Sequence, residues 1–233
     1  MLIRRKIVLG TLVGAVFVLA TGCASSSSQE QKAYAPHIDP ADFTTKIDNK
    51  YSPLKPGTTF VYQGNKQGST RDEMAVTHST KKVMGVECIV VNDKGWESGK
   101  LIEGTFDYYA QDNKGNVWYF GEDTKEYKNG KVTSTKGSWE AGVDGAKPGI
   151  IMQAHPKVGQ SYRQEYYQGE AEDMAKVLSL NESVTVPYGS FDRVLKTKEW
   201  SPLEPSYVEH KYYAEGVGQV YGGGLELVDV KHR

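Results

Sequence analysis

The sequence predicts an all-β domain, mainly antiparallel, built as a single curved sheet, a half-barrel or a barrel with little helix. From about residue 51 onward, short runs of alternating apolar and polar residues are separated by glycine, asparagine and proline. This pattern is typical of antiparallel strands. No repeat of fixed period accompanies these runs, which disfavours a propeller or a solenoid.

The first 22 residues have the outline of an export signal. Arg4, Arg5 and Lys6 precede an uncharged apolar run over residues 7–20, as in secretory signal peptides. As a helix this run spans about 21 Å, which is less than a membrane-crossing helix requires. We therefore expect residues 1–22 to direct export and then to be removed, rather than to remain as a transmembrane anchor.

The end of this segment reads Leu19-Ala20-Thr21-Gly22-Cys23. It resembles the lipobox of bacterial lipoproteins, although Ala20 stands where that pattern prefers leucine. The resemblance implies cleavage by the lipoprotein signal peptidase, of the signal peptidase II type, and lipidation of Cys23. An ordinary secretory signal with an incidental cysteine is the alternative. In a Gram-negative cell, Ala24 implies an outer membrane location facing the periplasm.

The polar chain after Cys23 has no periodicity and contains Pro36 and Pro40. It predicts a lipid anchor and polar linker over residues 23–50, followed by the β-sheet domain over residues 51–233. Two or three acyl chains would hold this domain at the membrane, since each buried CH₂ contributes about 0.8 kcal/mol.

The alternation predicts strands throughout the domain. Asn129-Gly130 accepts the two positive φ angles of a type I′ turn and predicts a hairpin. The glycine-rich residues 137–149 predict a long surface loop, and residues 169–178 fit either a helix or a strand. The predicted strands cover residues 58–62, 74–78, 83–91, 101–110, 117–120, 126–128, 131–133, 161–167, 176–180, 183–186, 193–200, 207–214, 219–221 and 225–230.

Charge and cysteine content exclude some classes of protein. Without residues 1–22, 25 basic and 29 acidic side chains remain, so no surface for nucleic acid is predicted. Besides Cys23 only Cys88 is left, so the domain cannot contain an internal disulfide. The apolar neighbours of Cys88 predict a buried core residue rather than a reactive thiol.

Aromatic residues recur in pairs within the predicted strands. Successive strand residues point to opposite faces, so each pair places one ring on each side of the sheet. Either one face forms the core and the other carries amphipathic tyrosines, or one face lines a cavity for an apolar or amphipathic ligand. The candidate ligand-binding residues are Tyr108, Trp118, Tyr166 and Tyr212.

Acidic residues crowd one short segment and are the candidate metal ligands: Glu165, Glu170, Glu172 and Asp173. Their oxygens could bind a hard cation such as Ca²⁺. A solvated acidic turn is the alternative, because the segment lacks an Asp-x-Asp-x-Asp-Gly loop. The chain also lacks the Gly-x-Ser-x-Gly, His-Glu-x-x-His, Cys-x-x-Cys and Walker motifs, so we assign no catalytic residue and no cofactor.

Three stretches resemble the opening strand, middle turn and closing strand of exported bacterial β-sheet lipoproteins of uncharacterised function. They are Tyr51-Ser52-Pro53-Leu54-Lys55-Pro56-Gly57-Thr58-Thr59-Phe60-Val61-Tyr62, Val184-Thr185-Val186-Pro187-Tyr188-Gly189-Ser190-Phe191 and Lys211-Tyr212-Tyr213-Ala214-Glu215-Gly216-Val217-Gly218. The resemblance implies a curved antiparallel sheet and carries over no catalytic residues.

Two functions from different classes follow as expectations. The first is a non-enzymatic binding or assembly module at the cell envelope, anchored through Cys23, which holds an amphipathic small molecule or an envelope protein. The alternative is an envelope hydrolase that uses the carboxylates of residues 165–173, with or without a metal.

Overall fold

A computed structural model describes residues 34–64 and 70–232 of the chain. Every described strand belongs to one compact unit, which begins at Pro36. The prediction of an all-β, antiparallel architecture is confirmed: one sheet nearly closes into a barrel. A single 3-10 turn at Pro40–Asp42 is the one helical element within the described ranges. In the same ranges, no helix has the length and apolar character that crossing a membrane requires.

Sixteen strands make up the sheet. In chain order they are β1 (Phe43–Thr44), β2 (Thr58–Gly64), β3 (Thr70–Val83), β4 (Val86–Glu97), β5 (Lys100–Asp112), β6 (Val117–Lys128), β7 (Lys131–Ser134), β8 (Trp139–Glu140), β9 (Lys147–Met152), β10 (Ser161–Arg163), β11 (Glu165–Tyr166), β12 (Met174–Val186), β13 (Gly189–Trp200), β14 (Val208–Ala214), β15 (Gly218–Gly222) and β16 (Leu225–His232).

The two ends of the sheet are joined by the chain itself. The strand order runs β10-β12-β13-β14-β15-β16-β2-β3-β4-β5-β6-β9-β11, so the first and last strands of this order, β10 and β11, are separated only by Gln164. The Gln164 N–H donates to the Asp173 carbonyl oxygen at 2.8 Å. At Gly149 of β9, an added Cβ would lie 2.3 Å from the Gln164 carbonyl carbon. Glycine is therefore needed where the sheet closes.

Several hairpins agree with the sequence. Strands β2 and β3 pair antiparallel, with Phe60 opposite Met74. Asn129 and Gly130 join β6 to β7 with φ angles of 53° and 73°, which confirms the predicted hairpin turn. Cys88 is buried in β4 as predicted, and burial raises the pKa of its thiol to about 12.

Three local expectations differ from the structure. The helical option for residues 169–178 is wrong, because a turn at 167–171 leads into β12, which is a strand from Met174. The expected loop at 137–149 contains β8, and Trp139 is buried there. Packed structure also begins earlier than the Tyr51 boundary, since Ile47 is buried and Asn49 donates to the carbonyl oxygens of Gly115 and Gln153 at 2.8 and 3.2 Å.

Side chains on the barrel strands alternate between an inner and an outer face. Residues directly opposite on paired strands share a face, so the pairing of Tyr109 with Tyr119 and with Ile89 places these three buried side chains on the inner face. Phe106 and Lys94 point the other way and are exposed. The inner face therefore holds part of the core, and buried residues of the opposite face, such as Tyr108 and Ala110, hold another part.

Candidate functional site

The inner face of the barrel carries buried charge as well as apolar core. Within residues 34–64 and 70–232, Lys211 is the only basic side chain that is fully buried. The acidic side chains buried in the same ranges, on either face, are Asp72, Asp107, Asp112, Glu122, Glu165, Asp173, Glu199 and Glu209. Buried charges are ordinarily paired or neutralised, so the partners of each carboxyl group decide its role.

Three cross-strand pairs between β5 and β6 form what we call the acidic ladder. Glu103 lies opposite Glu126, Thr105 opposite Thr124, and Asp107 opposite Glu122. The register is continuous over these positions, so all six side chains share the inner face. Glu103 and Glu126 are partly buried, whereas the other four are buried. The ladder thus runs from a solvent-accessible end to a buried end.

At the buried end the two carboxylates have unequal surroundings. Asp107 accepts a hydrogen bond from the Tyr119 hydroxyl at 2.6 Å. Glu122 is 3% exposed, and neither of its carboxylate oxygens has a hydrogen-bond partner in the described part of the chain. A buried carboxyl group without such a partner is costly, and like charges directly opposite on a sheet are destabilising.

Aromatic rings surround this end of the acidic ladder. The Tyr109 and Tyr119 rings stack with centroids 4.9 Å apart, and Tyr119 meets Trp139 edge to face at 5.3 Å. Trp139 lies opposite Glu122 in the β6–β8 pairing, and its Nε1–H donates to a Glu165 carboxylate oxygen at 3.1 Å. The Glu122 carboxyl group therefore faces a site lined by aromatic rings and further carboxylates.

The electrostatics favour protonated carboxyl groups at this site. Burial raises the pKa of Glu122 well above its ordinary value, and the charges of Glu165 and Asp107 raise it further. Burial likewise raises the pKa of Asp107. Asp93 lies opposite Thr105. Burial and the charges of Asp72 and Asp107 raise the pKa of Asp93 well above its usual range.

A second polar group on the inner face is fully compensated, and we call it the ion-pair cluster: Lys211, Glu199, Thr197 and Tyr213. The Lys211 Nζ lies 2.6 Å from a Glu199 carboxylate oxygen, with side chains 2% and 1% exposed. The Thr197 and Tyr213 hydroxyls donate to the other oxygen at 2.9 and 3.0 Å. Burial opposes ionisation of Glu199, but these partners hold its pKa below the ordinary value.

The structure does not gather the four predicted ligand-binding aromatics into one site. Tyr108 and Trp118 lie on the neighbouring strands β5 and β6, on the face opposite to the acidic ladder. The Lys81 Nζ sits 4.2 Å above the Tyr108 ring, and the Trp118 Nε1–H donates to Asp112 at 2.9 Å.

The other two aromatics lie on strands β11 and β14. The Lys147 Nζ and the Arg163 Cζ lie 5.4 and 4.7 Å from the centroid of the Tyr166 ring. The Tyr212 ring meets the Tyr221 ring edge to face. A ligand-binding role for these four aromatics stays a prediction.

The predicted acidic metal ligands also separate. Glu165 and Asp173 are buried, whereas Glu172 accepts from the Gly169 N–H at 2.9 Å and lies 3.9 Å from Arg163. Glu170 is part of the turn between β11 and β12. Across the described ranges, no group of three histidine, cysteine, aspartate or glutamate side chains is placed to hold a metal ion.

Sequence reasoning missed Asp107 and Glu122, the centre of the site. Their signal is present as polar residues at every second position, Glu103-x-Thr105-x-Asp107 and Glu122-x-Thr124-x-Glu126. An amphipathic strand ordinarily turns such residues to solvent, so only the strand pairing reveals that they face inward.

No known protein family matches the chain, and no curated protein matches it in sequence. Among solved structures, a crystal structure of a "putative lipoprotein" from Parabacteroides distasonis is similar, with 14% sequence identity and a TM-score of 0.41. The similarity covers 78% of this chain and 99% of that chain. At this level of likeness it supports no functional assignment.

Proposed function

We propose that the chain is a lipoprotein of the bacterial cell envelope whose β domain is a non-enzymatic binding module, with its ligand held on the inner face of the barrel. The observation that carries the binding role is the buried Glu122 carboxyl group, which has no hydrogen-bond partner in the described residues and lies opposite a second carboxylate. A ligand that supplies the missing partner would stabilise this arrangement.

The anchor in this proposal is Cys23, which lies outside the described residues together with the expected leader. It rests on the sequence pattern of a basic start, an apolar run and the lipobox-like Leu19-Ala20-Thr21-Gly22-Cys23. The outer membrane location rests on Ala24 alone and applies only to a Gram-negative source.

The hydrolase alternative gains no support from the geometry. Its proposed carboxylates on residues 165–173 point to different environments, with Glu172 engaged by Arg163 and a backbone N–H. Asp173 instead lies near Lys211, whose pKa it helps to raise. The binding module therefore remains the function that the arrangement supports best.

Lipidation is tested by expressing the full chain with radiolabelled palmitate and following its membrane fraction. We expect label in the wild-type protein and none in the Cys23→Ser variant. Cys88→Ser is the matched control, because it removes the other cysteine and should keep the label. Equal labelling of wild type and Cys23→Ser would contradict the proposal.

Ligand binding is tested by native mass spectrometry of the mature lipoprotein, purified in detergent from its own envelope. We expect a bound small molecule of defined mass that is lost when the same sample is denatured. A spectrum of the lipoprotein alone, from protein shown to be folded by circular dichroism, would contradict the binding role.

A further inference from the structure

We propose that the inner-face site at the acidic ladder binds a small organic cation with primary or secondary ammonium groups. This inference rests on the proposed binding function and names its ligand class. In the described residues no donor reaches either oxygen of the Glu122 carboxyl group, and Lys211 is the one basic side chain that is buried there. Lys211 itself is 2.6 Å from Glu199 and belongs to the ion-pair cluster.

The Glu122 carboxyl group points to the ligand independently of the number of acidic residues. It is 3% exposed, and both its oxygens are without a hydrogen-bond partner in the described ranges. An ammonium group donates several hydrogen bonds and carries a full positive charge, so it satisfies the oxygens and favours the ionised form of Glu122 that burial otherwise opposes.

The neighbouring rings favour an organic cation over a metal ion. Tyr119 and Trp139 meet at 5.3 Å beside the Glu122 position, and ammonium groups are attracted to aromatic faces within about 6 Å. A metal ion instead needs several oxygens converging on one point. The described residues contain no group of three acidic, histidine or cysteine side chains placed in that way.

The ladder also fits a cation with more than one charge. Its carboxylates occur at both ends, Glu103 with Glu126 and Asp107 with Glu122, and the hydrogen-bonded Thr105–Thr124 pair separates them. Four residues of strand span roughly 13 Å, which matches an extended alkyl chain bearing ammonium groups at intervals. The partly buried Glu126 at the other end of the ladder would take the second charge.

The test is isothermal titration of the full lipoprotein in detergent with spermidine. We expect saturable binding that weakens at least tenfold in the Glu122→Gln variant. Asp123→Asn is the matched control, because Asp123 is the next residue, points to the opposite face and pairs with Lys125 at 3.3 Å; its affinity should equal that of the wild type. Mg²⁺, added as its chloride at equal ionic strength, should bind more weakly than spermidine.

Absence of saturable binding, equal affinity of wild type and Glu122→Gln, or tighter binding of Mg²⁺ than of spermidine would each overturn the inference. If Glu122→Gln fails to fold by circular dichroism, Glu126→Gln at the partly buried end decides by the same comparison. The two proposals fail separately: another bound molecule found by native mass spectrometry, with no spermidine binding, would leave the binding module and remove the cation. Absence of both would remove both.

Discussion

The acidic ladder and the ion-pair cluster lie on the same inner face, yet their buried carboxyl groups differ in the hydrogen-bond and charge partners that they have. In the ion-pair cluster, Glu199 receives an ammonium group at 2.6 Å and two hydroxyl donors. In the acidic ladder, Glu122 has no hydrogen-bond partner in the described chain and faces Asp107. The pKa of Glu199 is lowered, while that of Glu122 is raised.

This difference separates a structural role from a binding role. A buried ion pair completed by hydrogen bonds holds strands together and has no capacity left for a ligand. An uncompensated carboxyl group weakens the fold, and such local cost is a common property of binding sites. We therefore expect substitutions in the ion-pair cluster to reduce stability and substitutions in the acidic ladder to affect ligand and pH response.

The largest effect is expected when the ion-pair cluster is broken. Lys211→Met should lower the free energy of unfolding by about 3–5 kcal/mol, because it leaves the Glu199 charge buried without its cation. Urea denaturation followed by circular dichroism measures the loss. Adding Glu199→Leu should recover most of it; a double variant as unstable as Lys211→Met would show that packing, rather than charge, carries the effect.

A matched pair of tyrosines sharpens the comparison. Tyr213→Phe removes a donor to the ionised Glu199, which should lower the free energy of unfolding by about 1.5–3 kcal/mol. Tyr119→Phe removes a donor to Asp107, and the raised pKa of Asp107 favours its neutral form. This substitution should lower the free energy of unfolding by about 0.5–1.5 kcal/mol. Urea midpoints measure both losses, and a larger loss in Tyr119→Phe would contradict the expected difference between the two carboxyl groups.

The pH dependence of stability should depend on Glu122. Its pKa is higher in the folded chain than the ordinary 4.5, so the folded state binds the proton more tightly. The contribution of Glu122 to the free energy of unfolding is fully present at acid pH. It is lost as the pH rises from the ordinary pKa of the carboxyl group toward its raised pKa in the folded chain, at up to about 1.4 kcal/mol per pH unit. Glu122→Gln should flatten this fall in urea titrations without added ligand.

Asp123→Asn serves again as the control, because it removes one carboxylate on the outer face and should keep the wild-type slope. A wild-type slope in Glu122→Gln would mean that another group is responsible for the pH response.

The smallest effect, close to zero, is expected when both threonines between the charged ends of the acidic ladder are replaced together. Thr105 and Thr124 share a hydrogen bond of 2.7 Å. Either single Thr→Val substitution leaves a buried hydroxyl unsatisfied, at a cost of about 1–3 kcal/mol, whereas the double substitution replaces both partners with groups of the same shape and should be nearly neutral. Thermal unfolding of the three variants measures this, and additive losses would contradict the expected coupling.

The fold was predictable because its signals are local. Alternation and turn residues such as Asn129-Gly130 indicated the antiparallel strands. Strand order and closure were not predictable, because the pairing of β2 with β16 joins residues far apart in sequence. The buried start of β8 was missed because Trp139 stands among glycines.

The candidate site was harder to predict than the fold. Glu165 was identified from a local cluster of acidic residues, but its partner Trp139 comes from a different segment. Asp107 and Glu122 look like solvent-facing residues of amphipathic strands, and a one-residue change in register would turn them outward. Only the bulge between the Asp107 and Tyr109 pairings keeps Tyr119 and Glu122 on one face.

The pairing of β2 with β16 also governs when the molecule can fold. Thr58 lies opposite His232, so β2 acquires its second neighbour only after the strands from β3 to β15 have been made. Such non-local pairings make folding slow. Until β16 has been synthesised, the edge of β2 that pairs with it lacks its partner strand, and an open strand edge can pair with other chains.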